Sequence, residues 1–230
     1  MSFDYDNLSG RPPGRFVTAA GRLLPGVRQV QQQIGPYAAA WRQANAEAMA
    51  ASGPLWVALG DSLTQGVGAS AFDRGWVGQL AGELTGQGQR LRVLNLSVSG
   101  ARVGDLVARQ LPVLRQLEPA LVTVLIGSND LFQPRLRRSL PAAFETMLAR
   151  LPAGAVVANL PNPNSAAEAV NRLLHRAVAD RGVVLADMRG SRTTSWQGKL
   201  AADYFHPNDR GHASIAQVFA EAIGLSAALD

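Results

Sequence analysis

An α/β fold, with a five-stranded parallel sheet between layers of helix, is the fold class this sequence predicts. Two patterns carry the prediction. After Pro54, apolar runs at Leu55–Leu59, Leu91–Leu96, Leu121–Ile126, Ala155–Leu160 and Val183–Ala186 alternate with helical spacing near 75–85, 104–117, 139–150, 166–180 and 209–223. Strands separated by helices of this length pair in parallel through crossovers, which place helices on both faces of the sheet. The second pattern is size and composition: 230 residues, 47% hydrophobic and 17% charged, suit one full α/β domain with a sizeable core. Strand order is not readable from these patterns.

Taken in order, residues 1 to about 25 hold Gly10, Pro12, Pro13, Gly14, Gly21 and Pro25 without sustained periodicity, and read as a loop or tail. From Val27 to Ala51 apolar residues recur at three- and four-residue intervals (Val30, Ile34, Tyr37, Trp41, Ala44, Ala48), which predicts a helix. Gly35-Pro36 is placed to kink or split it. Ser52-Gly53-Pro54 ends it, so residues 1–53 are expected to be an N-terminal extension and residues 54–230 the α/β domain. The apolar face of the helix is left either to dock on that domain or to form a homo-oligomer with a second copy.

Composition excludes several chemistries. There is no cysteine, which removes disulfides, thiolate catalysis and Cys-ligated zinc. The charge of +5 comes almost entirely from arginine, since Lys199 is the only lysine. The arginines are scattered through helical patterns, and no basic block alternates with aromatics, so a nucleic-acid partner is not expected. No apolar run approaches the ~20 residues of a membrane span, and no signal-peptide core separates the N-terminal arginines. The default expectation is a cytoplasmic protein.

The candidate nucleophile is Ser62. It follows the apolar run Trp56-Val57-Ala58-Leu59-Gly60-Asp61, where a strand ends and a turn can present the hydroxyl at the carboxyl edge of the sheet. A serine hydroxyl needs a base within hydrogen-bond reach. Three histidines exist, and His206, between Phe205 and Pro207, stands three residues after an aspartate, Asp203, in a short turn that can hold carboxylate and imidazole together. His175 lies in a charged helical stretch and reads as a helix surface residue. His212 opens the last helix and reads as structural. Asp61 is assigned to holding its turn. A metal site built from Asp61, Asp130, Asp203 and His206 has no known ligand spacing, so no metal and no cofactor are expected.

Two further stretches follow strand-like runs: Asn95-Leu96-Ser97-Val98-Ser99-Gly100 and Ile126-Gly127-Ser128-Asn129-Asp130. With the serine run and Asp203-Tyr204-Phe205-His206-Pro207-Asn208 they make four blocks in order, and from about Trp56 to Phe219 the chain resembles the SGNH hydrolase superfamily of GDSL esterases and lipases. The resemblance implies a flavodoxin-like three-layer fold. It also implies a catalytic triad of Ser62, Asp203 and His206, with Ser62 N–H, Gly100 N–H and the Asn129 side chain as oxyanion donors. The α/β-hydrolase elbow Gly-x-Ser-x-Gly is not matched, because Leu63-Thr64 follow Ser62.

The expected function is a metal-independent serine esterase that hydrolyses a small-molecule acyl ester through an acyl-enzyme. An acyltransferase using a sugar or other alcohol as acceptor would use the same residues. A basic binding module with a vestigial site is the alternative from another class. Trp76, Phe132 and Trp196, in loops after the strands, are candidates to line an apolar cleft. Arg135, Arg137 and Arg138 either meet an anionic group or face solvent.

Overall fold

The computed structural model describes residues 3–11, 21 and 23–225. Five strands form its sheet: β1 (Leu55–Gly60), β2 (Arg92–Asn95), β3 (Leu121–Leu125), β4 (Val156–Ala158) and β5 (Val184–Ala186). All neighbours are parallel and the order is β2-β1-β3-β4-β5. This order reverses direction at β1, and in open parallel sheets such a switch point opens a crevice at the carboxyl ends of the strands.

The alternation along β1 shows how the sheet is buried on both sides. Leu55, Val57 and Leu59 face one apolar cluster, while Trp56 and Ala58 face the other. The first cluster is filled by helices α5 (Val103–Asp105), α6 (Leu111–Leu114), α7 (Ser128–Leu131), α8 (Pro134–Leu148) and α9 (Ser165–Arg181). The second is filled from α2 (Ile34–Ala50), α4 (Trp76–Gly86) and α10 (Asp209–Ala222). In the second layer Trp76 stacks on Phe219 with ring centroids 4.2 Å apart, and Trp56 donates its indole N–H to Thr123 Oγ1. Trp76 therefore belongs to the core and not to a cleft; truncating such a residue to alanine typically costs ~3–5 kcal/mol. Trp196 is half-buried against the same layer.

The long N-terminal helix is divided, as Gly35-Pro36 suggested, but the break falls at Gln32–Gln33, between α1 (Pro25–Gln31) and α2. Pro36 then lies in the first turn of α2, where its missing N–H costs nothing. α2 docks on the protein's own sheet: Trp41 is buried in the second cluster and its indole N–H donates to the carbonyl of Gln65. Helix α8 begins at Pro134, five residues before the expected start, because proline suits the first helical position. The helical run after β2 carries a π-helical segment, Leu106–Gln110, between α5 and α6.

Residues 3–11 form no regular element, yet they are bound along β2 and the loop beyond it. The Tyr5 hydroxyl donates to Leu96 O at 2.9 Å, and the Asn7 amide donates to Asn95 O and Ser97 O at 2.8 and 2.9 Å. Arg109 reaches the carbonyls of Asp6 and Leu8. Residues 12–20 and 22, part of the expected tail, lie outside the described residues. Among the described residues no helix is long and apolar enough to cross a membrane.

Candidate active site

Four loops at the carboxyl edge of the sheet bring the motif residues together. Gly60 ends β1, and its N–H and C=O are both held by the Gln110 side chain from the π-helical segment, at 2.9 and 2.8 Å. Asp61 comes next and caps the short helix α3 (Ser62–Gln65) by accepting the Leu63 N–H at 3.0 Å. Ser62 is thereby fixed at a helix N-terminus, where backbone N–H groups are unpaired by construction.

Ser62 Oγ lies 3.1 Å from His206 Nε2, and His206 Nδ1 lies 2.6 Å from Asp203 Oδ2. The other carboxylate oxygen of Asp203 accepts the backbone N–H groups of Phe205 and His206, each at 3.0 Å. Burial works to raise the Asp203 pKa and is the largest single influence. The hydrogen bond and charge of His206 with the two backbone donors outweigh it, so Asp203 is held below the usual carboxylate value. An ionised carboxylate on Nδ1 keeps the proton on that nitrogen and leaves Nε2 as acceptor for the serine hydroxyl.

Gly68 makes this approach feasible. At φ +98°, a Cβ there would lie 2.2 Å from Pro207 O and 2.7 Å from His206 Cβ, so only glycine lets the loop after Ser62 lie against the loop carrying His206. The Gln33 side chain accepts the Gly68 N–H, and both Gln33 and Tyr37 donate to Ala69 O. The N-terminal extension thus braces the Ser62 loop.

Gly100 stands in the loop after β2 at φ +74°, exposed, with open space where a Cβ would be. Neither its N–H nor that of Ser62 has a hydrogen-bond partner among the described residues. Arg11 reaches the Gly100 carbonyl and pairs with Asp105.

Asn129, in the first turn after β3, differs from the expectation in one respect. Its amide nitrogen donates to Asp61 Oδ2 at 3.2 Å and to Ala101 O at 2.9 Å, so both amide hydrogens are taken in the absence of ligand. An oxyanion would have to compete with one of these acceptors.

Asp61 and Asp130 are buried acids. Burial pushes Asp61 up to about 7, with the Asp130 charge adding to the rise and the Leu63 N–H opposing it. Burial likewise pushes Asp130 up to about 6, against the Val103 N–H that its carboxylate accepts and the charge of Arg102. His212 is fully buried, accepts the Trp76 N–H at Nδ1 and donates from Nε2 to Val67 O. Burial drives it down to about 4, a neutral structural histidine. His175 is exposed on α9. Among the described residues no three His, Asp or Glu side chains converge as a metal-binding group.

The model of the GDSL-like lipase/acylhydrolase family matches residues 58–214. The chain belongs to that family. It is an acyl-ester hydrolase by family, and its relatives include Esterase TesA of Pseudomonas aeruginosa. That protein is 31% identical over 161 residues, 65% of this chain and 77% of its own length. An arylesterase of Vibrio mimicus is 39% identical over 72 residues, 31% of this chain and 36% of that protein. Among solved structures, an α/β hydrolase from the metagenome of Lake Arreo, Spain, superposes with a TM-score of 0.61 at 26% identity, covering 76% of this chain and 97% of that one. Axe2, an acetylxylan esterase from Geobacillus stearothermophilus, shares the fold at 21% identity and a TM-score of 0.58, covering 76% and 96%. In this GDSL-type chain 57 residues stand ahead of the matched region, and they supply Gln33, Tyr37 and the segment 3–11 described above.

Sequence reasoning missed Gln110, Gly68, Gln33 and Arg11. Only Gly68 left a signal, the Gly66-Val67-Gly68 run after Ser62.

Proposed function

We propose that the protein is a serine esterase that cleaves carboxylic esters through an acyl-enzyme, with Ser62 as nucleophile. The observation that carries the reading is the chain of contacts from Ser62 Oγ to His206 at 3.1 Å and from His206 to Asp203 at 2.6 Å. Ser62 Oγ bonds to the ester carbonyl carbon while its proton passes to His206 Nε2. The resulting tetrahedral oxyanion is met by the N–H groups of Ser62 and Gly100 and by Asn129. As it collapses, the bond to the alcohol oxygen breaks and His206 returns the proton to that oxygen. Water then adds to the acyl group, giving a proton to His206. The carboxylic acid departs as Ser62 recovers its hydrogen. The chemistry needs no metal. The names of two relatives, an esterase and an arylesterase, support the same class.

The deciding experiment is hydrolysis of p-nitrophenyl esters of graded acyl length by wild type and Ser62→Ala, with fluorophosphonate labelling. Wild type is expected to turn over and to be labelled at Ser62, and the variant to keep its melting temperature while losing turnover on the order of 10⁶-fold. Retained hydrolysis in the variant would overturn the assignment. Products formed in the presence of a sugar or simple alcohol separate hydrolase from acyltransferase, since transfer yields a new ester and not the free acid.

A further inference from the structure

Exposed aromatic side chains occur at one place among the described residues: Phe132 at 55%, Phe205 at 49% and Tyr204 at 86% exposure. Phe132 lies three positions past Asn129, and Tyr204 and Phe205 lie between Asp203 and His206. The rings of Phe132 and Phe205 meet edge to face at 5.1 Å, and the Phe205 ring meets the His206 imidazole edge to face at 4.9 Å. Large apolar groups held in water beside a reactive centre mark a contact surface, because nothing in the fold covers them. Tyr204 has φ +55°, a conformation non-glycine residues seldom adopt, and it holds the turn that brings Phe205 beside His206.

The mechanism says which half of an ester reaches this ledge. His206 must hand its proton to the leaving oxygen, so that oxygen sits within hydrogen-bond reach of Nε2. The substituent on that oxygen is the alcohol half. It leaves the reaction centre beside the imidazole, where the neighbouring ring is Phe205 and the next is Phe132. The acyl substituent departs from the tetrahedral carbon in another direction, away from His206.

We propose that the Phe132–Phe205 pair seats the alcohol half of the substrate and that this half carries a flat, ring-shaped apolar group. The inference rests on the esterase reading above and deepens it. Edge-to-face and stacked ring contacts would select such an alcohol over a small aliphatic one of similar acidity.

The test compares kcat/KM for benzyl acetate and ethyl acetate, which share an acyl group and differ little in leaving-group acidity. Since kcat/KM covers steps up to acylation, it senses the alcohol half. Wild type is expected to favour benzyl acetate by on the order of tenfold, and Phe132→Ala with Phe205→Ala to bring that ratio to within about threefold of one. Phe132→Ala alone is expected to lower the ratio and Phe132→Trp to retain it, which keeps the test independent of any disturbance beside His206. The ratio of ethyl hexanoate to ethyl acetate, which senses the acyl half, is expected to stay within about twofold. A benzyl preference that survives both alanine variants, a wild type with no preference, or a change in the acyl ratio alone would overturn the proposal. Absence of Ser62-dependent turnover on all three esters would instead count against the esterase reading on which it stands.

Discussion

Asp61 accepts a hydrogen bond from the Asn129 side chain at 3.2 Å, which ties the residue before Ser62 to the amide proposed to meet the oxyanion. The same carboxylate caps α3 through Leu63. One buried acid thus orients a helix N-terminus and an amide donor together.

Replacing Asn129 with alanine is expected to lower kcat by about 10²–10³-fold with a small change in KM, since the donor acts on charge that develops in the transition state. Asp61→Asn keeps an oxygen for the Leu63 N–H but turns an amide donor toward Asn129. Its kcat is expected to fall about tenfold, the worth of one misdirected hydrogen bond. Steady-state kinetics check both; an effect confined to KM would contradict the arrangement.

Gly68 and Gly100 both have positive φ, and they are expected to respond differently to alanine. At Gly68 the added carbon collides with Pro207 O and His206 Cβ, so the His206 loop must retreat from Ser62. A displacement of that kind costs about 10² in kcat, with ~1–3 kcal/mol of stability. At Gly100 the carbon meets nothing, so stability should fall by only the ~1–2 kcal/mol of the left-handed conformation. Fluorophosphonate labelling rates and thermal melts of the two variants separate the cases.

Buried His212 and buried Asp61 give stability opposite dependences on pH. His212, held down to about 4 from 6.5, binds its proton more readily when unfolded, so its contribution is full above pH 6.5 and is lost as pH falls toward 4, by ~3 kcal/mol. Asp61, held up to about 7 from 3.8, binds its proton more readily when folded, so stability is lost as pH rises between those values. Asp130, up to about 6, acts in the same sense as Asp61. Chemical denaturation at pH 5 and pH 7 should show Asp61→Asn gaining stability with pH and His212→Gln losing it. Equal slopes in the two variants would refute the assignment.

Asn7→Ala should melt lower, because the Asn7 side chain donates to the carbonyls of Asn95 and Ser97 and accepts from the Asn45 amide, all in buried surroundings. Leaving such groups unpaired costs ~1–3 kcal/mol. A thermal melt unchanged from wild type would show that the segment contributes nothing to stability.

The five strands and their helices were legible because both sheet faces are buried and each strand carries apolar residues in sequence, unbroken along Leu55–Gly60 and interrupted only by Arg92, Asn95 and Thr123 elsewhere. Three of the four motif blocks were legible because each follows such a run, and the fourth, Asp203 to Asn208, from the spacing of its aspartate and histidine. Trp76 was less so: it opens α4 next to a loop, and only the position of Phe219 in the third dimension decides that it stacks in the core. The segment 3–11 gave no signal, since Tyr5 and Asn7 bind by side chain to carbonyls far along the chain, and such bonds have no period. Gln110 was hidden for a related reason. Its amide serves Gly60, 50 residues away, from a π-helical turn that residue spacing does not announce.

The hydrogen bonds from Tyr5 and Asn7 to Leu96, Asn95 and Ser97 span 88 to 91 residues. Tyr5 and Asn7 are therefore made long before the carbonyls they bind, and those carbonyls come into place only once β2 has paired with β1. Closing so large a loop is entropically unfavourable until the sheet edge is in place. The loop bearing Gly100, held through Arg11, is accordingly expected to order late, after the sheet edge that Tyr5 and Asn7 bind.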